Sequence, residues 1–267
     1  MKKKCIYVFT AVLLLNACSS TKTINTGTST VNNGKVWALL WQQQAAEYKA
    51  LCYQAWNIAR LRLDEALKQP GANPPAVITD IDETLLDNSP YDAQRAINNL
   101  DYTPATWKVW TAKAIADTVP GAPAFFKYAA SKGVEVFYIT NRDADERAGT
   151  LKNLQLYNLP DADDAHLITR QSGSSKEARR QAVMQTHNVI LLCGDNLADF
   201  DALYDNKPSL QSRKEATDKL IQQFGSRYIV LPNSTYGDWE SVLFNFNYKL
   251  TSAQKDSIIK ARIKLDK

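Results

Sequence analysis

Histidine and cysteine are in short supply: two of the first and four of the second occur in 267 residues. No C-x-x-C pair and no cysteine and histidine spacing of the kind that builds a zinc site is present. His166 and His187 belong to no motif and read as structural. Net charge is also small. The +4 balance comes from 32 basic and 28 acidic residues spread along the chain, so the basic block that marks a protein of polymeric nucleic acid is missing. No internal repeat and no long low-complexity tract interrupts the body of the sequence. The apolar run from Ile6 to Leu15 is too short to span a bilayer stably. What remains, 45% hydrophobic and 22% charged, is the composition of one globular catalytic domain with a modest appendage.

The first residues form a leader. Lys2, Lys3 and Lys4 precede that apolar run, which reads as a signal peptide over 1–17. Leu15-Asn16-Ala17-Cys18 resembles a bacterial lipobox, with Cys18 lipidated and becoming the mature N-terminus; the alternative is ordinary secretory cleavage near Ala17. Ser19 rather than Asp after that cysteine points to the outer membrane. Residues 18–35 are Ser, Thr, Asn and Gly with little to bury and read as a flexible tether. Cys5 leaves with the leader, so only Cys52 and Cys193 remain in an oxidising compartment, where a disulfide is open to them and buried free thiols are the expected state.

From Val36 to Lys68 apolar residues recur at three- and four-residue steps, which predicts helix until Gln69-Pro70-Gly71 stops it. Short apolar runs at Ala76–Thr79, Val134–Ile139, Asn188–Cys193 and Tyr228–Leu231 read as buried strands. Helical stretches such as Ala122–Lys132 and Lys176–Thr186 separate them. Alternation of this kind implies a parallel sheet covered by helices on both faces, an α/β Rossmann-like three-layer core. The expected division is N-terminal helices over 36–75, a catalytic core over 76–90 and 119–234, a Trp- and Tyr-rich helical cap over 91–118, and a C-terminal segment over 235–267 that ends in a helix and packs on core and cap.

Working groups in an open parallel sheet collect at the carboxyl ends of its strands. There the sequence places Asp80-Ile81-Asp82-Glu83-Thr84, Thr140-Asn141-Arg142, and Gly194-Asp195-Asn196-Leu197-Ala198-Asp199, with Lys176 opening the helix before the third run. Carboxylates crowded on one rim repel one another unless a cation sits among them. Oxygen donors without histidine or thiolate favour Mg2+ over zinc, with Asp80 and Asp195 as side-chain ligands. Asp80, touching metal and phosphorus together, suits a nucleophile that forms an acyl-phosphate. Asp82, two residues on, suits the general acid and base. Thr140, Asn141, nearby backbone amides and Lys176 would hold phosphoryl oxygens.

Two stretches, Ile78 to Tyr91 and Ile190 to Phe200, resemble the paired signatures of class C acid phosphatases, the lipoprotein e(P4) family of the haloacid dehalogenase (HAD) superfamily. The resemblance runs from about Val36 to the C-terminus and departs mildly at Thr79 and Leu85. It implies a HAD-type core and a Mg2+-dependent acid phosphatase and 5′-nucleotidase on small phosphomonoesters, nucleotides included. Members are anchored in the outer membrane and often dimeric, so a homodimer is an expectation. Residue by residue, Asp80 would be nucleophile and ligand, Asp82 acid/base and backbone-oxygen ligand, Asp195 a second carboxylate ligand and Asp199 a holder of metal-bound water. Trp107 and Tyr236 would stack the nucleoside, with Trp110 and Tyr91 as neighbours. A phosphotransferase, a dehalogenase-type or ATPase-type relative and a surface lipoprotein for nucleotide or haem uptake are the competing readings.

Overall fold

The computed structural model describes residues 30–69 and 71–266; the expected signal peptide, Cys18 and the start of the tether lie outside the described residues. Helices α1 (Thr30–Gln44) and α2 (Ala46–Ala66) lead into strand β1 (Pro75–Thr79). An excursion then rises from the carboxyl end of β1, made of β2 (Leu86–Asp87), α3 (Ser89–Ile97), α4 (Pro104–Lys113) and β3 (Asp117–Thr118). Regular alternation resumes with α5 (Ala122–Ser131), β4 (Glu135–Ile139), α6 (Arg147–Leu156), β5 (Leu167–Ile168), α7 (Glu177–Met184) and β6 (Asn188–Gly194). The chain closes with α8 (Leu210–Lys219), β7 (Tyr228–Val230), α9 (Asp238–Ser241) and α10 (Ser252–Arg262).

The main sheet has five parallel strands in the order β5-β4-β1-β6-β7. Both faces are covered, and the alternation of side chains along each strand divides the core in two. Val77, Val136, Tyr138, Leu191 and Cys193 pack with Trp56 of α2 and Phe125 and Phe126 of α5. Ala76, Ile78, Phe137, Ile139 and Leu192 pack with Val183 of α7 and with Phe200 and Tyr228. β1 sits between strands reached by connections of opposite sense, which opens a crevice at its carboxyl end. Cys52 and Cys193 are both buried free thiols. No described helix is long and apolar enough to cross a membrane.

Three features depart from the sequence expectation. Helix α1 starts at Thr30, inside the stretch expected to be tether. Its first amides find an acceptor far along the chain: Thr30 and Val31 donate to the Asp256 carboxylate of α10 at 3.2 and 3.4 Å, which satisfies two of the donors a helix start leaves open. The helical stretch from Val36 to Lys68 is broken at Ala45, whose ψ of 128° is extended. The cap begins at Ser89 instead of Tyr91, and its two ends are pinned by a small antiparallel pair, Leu86 with Thr118 and Asp87 with Asp117. β2, β3 and β5 are two residues each, too short to leave a periodic trace.

Candidate active site

β1 ends at Thr79, and the Asp80 amide still donates to the Cys193 carbonyl at 2.9 Å, so the nucleophile candidate sits on the last rung of the sheet. The chain then folds back on itself. Glu83 takes a left-handed φ of 59°, and the amides of Leu85 and Leu86 both donate to Ile81 O, at 2.9 and 2.8 Å. Thr84, fully buried, lies with its hydroxyl 3.4 Å from Asp80 Oδ2 and 3.2 Å from Asp195 Oδ1.

Asp80, Asp195 and Asp199 come together, each with a carboxylate oxygen within 4.8 Å of the other two. Gly194 makes room for this, since a Cβ there would fall 2.5 Å from the Asp199 carboxylate. Asn233 donates to Asp195 Oδ2 at 2.7 Å, and the Asn196 amide donates to Asp199 Oδ2 at 3.0 Å. Lys176, buried at the start of α7, bridges Asp80 and Asp199, the latter at 2.7 Å. Burial raises the Asp80 carboxyl to about 7 against the pull of Lys176, with Asp199 and Asp82 adding to the rise. Asp195 is pushed well above the carboxylate range, by burial first and then by Asp199 and Asp80. Three carboxylates, Asp80 and Asp199 buried and Asp195 partly so, facing one ammonium are short of positive charge, and every donor is oxygen. The arrangement fits a hard divalent cation.

Asp82 points elsewhere. Its carboxylate receives Arg142 Nη2 at 2.7 Å and Nε at 3.1 Å, and Asn88 Nδ2 at 2.9 Å. Asn88 is held in turn by Trp110, whose Nε1 donates to its Oδ1 at 2.8 Å. Thr140 is fully buried, its hydroxyl accepting from the Arg142 amide at 3.1 Å. Asn141 is exposed and its side chain is engaged, donating to Ser174 O at 2.9 Å and accepting from Arg179 at 2.7 Å.

Asp80, Asp82, Asn141, Lys176, Asp195 and Asp199 line one cavity of about 720 Å³, together with Trp107 and Tyr236. Trp107 stands edge-on to Tyr91 with centroids 5.2 Å apart. Tyr236 donates its hydroxyl to Glu83. Trp110 and Tyr91 prove to be cap packing instead of cavity wall, Tyr91 being tied to Thr106 at 2.9 Å.

Sequence reasoning gave no role to Arg142, Thr84 and Asn88, although all three stand inside the quoted motifs. Asn233 follows no motif. Arg179, in a run that reads equally as a solvated helix start, is buried and donates to Thr140 O at 2.6 Å.

The family described as HAD superfamily, subfamily IIIB (acid phosphatase) matches residues 9–239. The class C acid phosphatase from Bacillus anthracis with tungstate bound is 39% identical, with a TM-score of 0.85 over 90% of this chain and 100% of that one. A second structure of the Bacillus anthracis class C acid phosphatase gives the same identity and TM-score over 89% of this chain and 99% of that one. With a phosphatase family matching most of its length and the acidic crevice lying where a parallel sheet collects its working groups, the chain belongs to the HAD subfamily IIIB acid phosphatases, phosphomonoester hydrolases that use a divalent metal.

Proposed function

We propose that this protein is a Mg2+-dependent acid phosphatase acting on nucleoside 5′-monophosphates through an aspartyl-phosphate on Asp80. The observation that carries the reading is the convergence of Asp80, Asp195 and Asp199 around the Lys176 ammonium, beneath a cavity that also holds Trp107 and Tyr236. Asp80, Asp195 and the Asp82 backbone carbonyl would hold Mg2+, with Asp199 reaching it through water. Its charge would neutralise phosphoryl oxygens as they crowd against carboxylates.

The remaining work falls to side chains. Asp80 attacks phosphorus in line with the leaving oxygen, which breaks the ester bond and forms an acyl-phosphate. Asp82 gives the leaving alkoxide its proton and later takes one from the water that hydrolyses the intermediate, so turnover is fastest at mildly acidic pH. Lys176, the Thr140 hydroxyl and the backbone amides of Ile81, Asp82 and Asn141 stabilise the transferring group. Trp107 and Tyr236 offer aromatic faces to a nucleobase. Lipidation at Cys18 would anchor the enzyme to the outer membrane.

Release of inorganic phosphate from AMP and from p-nitrophenyl phosphate, with and without chelator, tests the metal; activity untouched by chelation rejects it. Acid-quenching with labelled substrate should trap label on the wild-type protein and none on Asp80→Asn. Trp107→Ala and Tyr236→Ala should raise KM for AMP more than for a phosphate ester without an aromatic group. Equal losses on both would remove the nucleoside assignment.

A further inference from the structure

The turn after β1 sets a further acidic residue beside the reacting pair. Glu83 follows Asp82 directly, is 1% exposed, and holds its left-handed φ of 59°, a conformation that a residue with a Cβ seldom adopts. A buried carboxylate needs donors for its oxygens, and Glu83 draws them from two separate segments. Its Oε1 accepts from the Asn88 amide at 2.8 Å. Its Oε2 accepts from the hydroxyl of Tyr236, 153 residues away along the chain on the segment that follows β7.

Asn88 carries the constraint onward. It is fully buried, and each of its polar groups is taken. The carbonyl accepts from the Tyr91 and Asp92 amides at 2.9 and 3.2 Å, Oδ1 accepts from Trp110 at 2.8 Å, and Nδ2 donates to Asp82 Oδ1 at 2.9 Å. Glu83 therefore sets where Asn88 sits, and Asn88 is one of two holds on the Asp82 carboxylate, Arg142 being the other. Tyr236, at the far end of the chain of contacts, lines the substrate cavity; Glu83 does not.

We propose that Glu83 is a positioning residue that ties the wall facing the leaving group to the general acid, holding Tyr236 with one oxygen and, through Asn88, Asp82 with the other. The inference rests on the reading of Asp82 as proton donor and of Tyr236 as part of the leaving-group wall. An ester seated against Tyr236 is then kept in register with the carboxyl that must protonate its leaving oxygen. Register of this kind matters, since a misplacement of about 1 Å can cost about 100-fold in rate.

The test compares two single-ring esters on the intact protein: benzyl phosphate, whose alkoxide needs a proton as it leaves, and p-nitrophenyl phosphate, whose phenolate does not. For each, kcat/KM reports formation of the acyl-phosphate. Asp82→Asn sets the scale, with a greater loss on benzyl phosphate than on p-nitrophenyl phosphate. Glu83→Ala should lose at least about 10-fold more on benzyl phosphate than on p-nitrophenyl phosphate. Glu83→Gln, which keeps an acceptor for the Asn88 amide and a polar partner for Tyr236, should recover most of that gap. Tyr236→Phe keeps the ring and loses only the hydroxyl, so it should open a gap in the same direction and add nothing further when combined with Glu83→Ala. It also decides the matter alone if Glu83→Ala does not fold. A gap in Asp82→Asn, with equal losses on both esters in Tyr236→Phe and Glu83→Ala, overturns the proposal and leaves Glu83 as a packing residue. No gap in Asp82→Asn overturns the assignment of Asp82 as acid, and the proposal with it.

Discussion

Asn233 donates to Asp195 Oδ2 at 2.7 Å and so fixes the direction in which that half-buried carboxylate faces. Groups that orient ligands in this way typically change metal affinity by about 10- to 100-fold when removed. Asn233→Ala should therefore raise the Mg2+ concentration for half-maximal activity at least about 10-fold, measured by restoring metal to chelated enzyme. An unchanged requirement would mean Asp195 needs no such support. Asp92 makes a different case. Burial raises its carboxyl to about 7, Lys35 opposing and Asp82, Asp87 and Glu240 adding to the rise, and its Oδ2 has no hydrogen-bond partner. Because the folded pKa lies above the unfolded one, the folded state holds the extra proton between about pH 4 and 7, and stability falls as pH rises through that window. Asp92→Asn should match wild type in thermal unfolding near pH 4 and exceed it at pH 7.5. An equal difference at both pH values would show that Asp92 does not carry the effect. Asp80, Asp82 and Asp195 were legible because each directly follows an apolar run. Asn233 and Arg142 were not, since what they do depends on which neighbour the fold brings within 3 Å.

Among the elements, α4 has the most direct line to chemistry. Its Trp110 holds Asn88, and Asn88 holds Asp82. Trp110→Phe keeps the packing but deletes the donor, leaving a buried amide oxygen unsatisfied at about 1–3 kcal/mol. The expected result is a fall in kcat of about 10-fold, the equivalent of 1.4 kcal/mol, with KM for p-nitrophenyl phosphate little changed. Parallel losses in kcat and in thermal stability of Trp110→Ala alone would point to packing instead. The four long strands and α5 and α7 could be read from their apolar runs. The start of α1 could not, because its first amides donate to Asp256, 226 residues away along the chain. Asp256→Ala should speed hydrogen exchange at the first amides of α1 and cost about 1 kcal/mol, with the fold retained.

At the scale of the molecule, the layers and the crevice at the switch point followed from alternating strand and helix, as did the acidic rim. The convergence of His166 and His187 on Glu135 did not, since their spacing matches no motif and only the sheet brings them together. Cys52 and Cys193, buried on the same side of the sheet, should stay unlabelled by thiol reagents in the native state and react on unfolding. Labelling of Cys193 in the native protein would contradict the closed core beside Asp80.

The contact between Asp256 and the first turn of α1 makes the two ends of the described chain splint one another. α1 supplies Lys35 and Leu39 to the substrate cavity, α10 supplies Lys255, and Lys35 is anchored to Glu240 at 3.1 Å. A protease that nicked the chain after Leu250 would therefore remodel the outer wall of the cavity while leaving every aspartate in place. Tail trimming would then alter which leaving groups are accepted more than how fast the ester bond is cut.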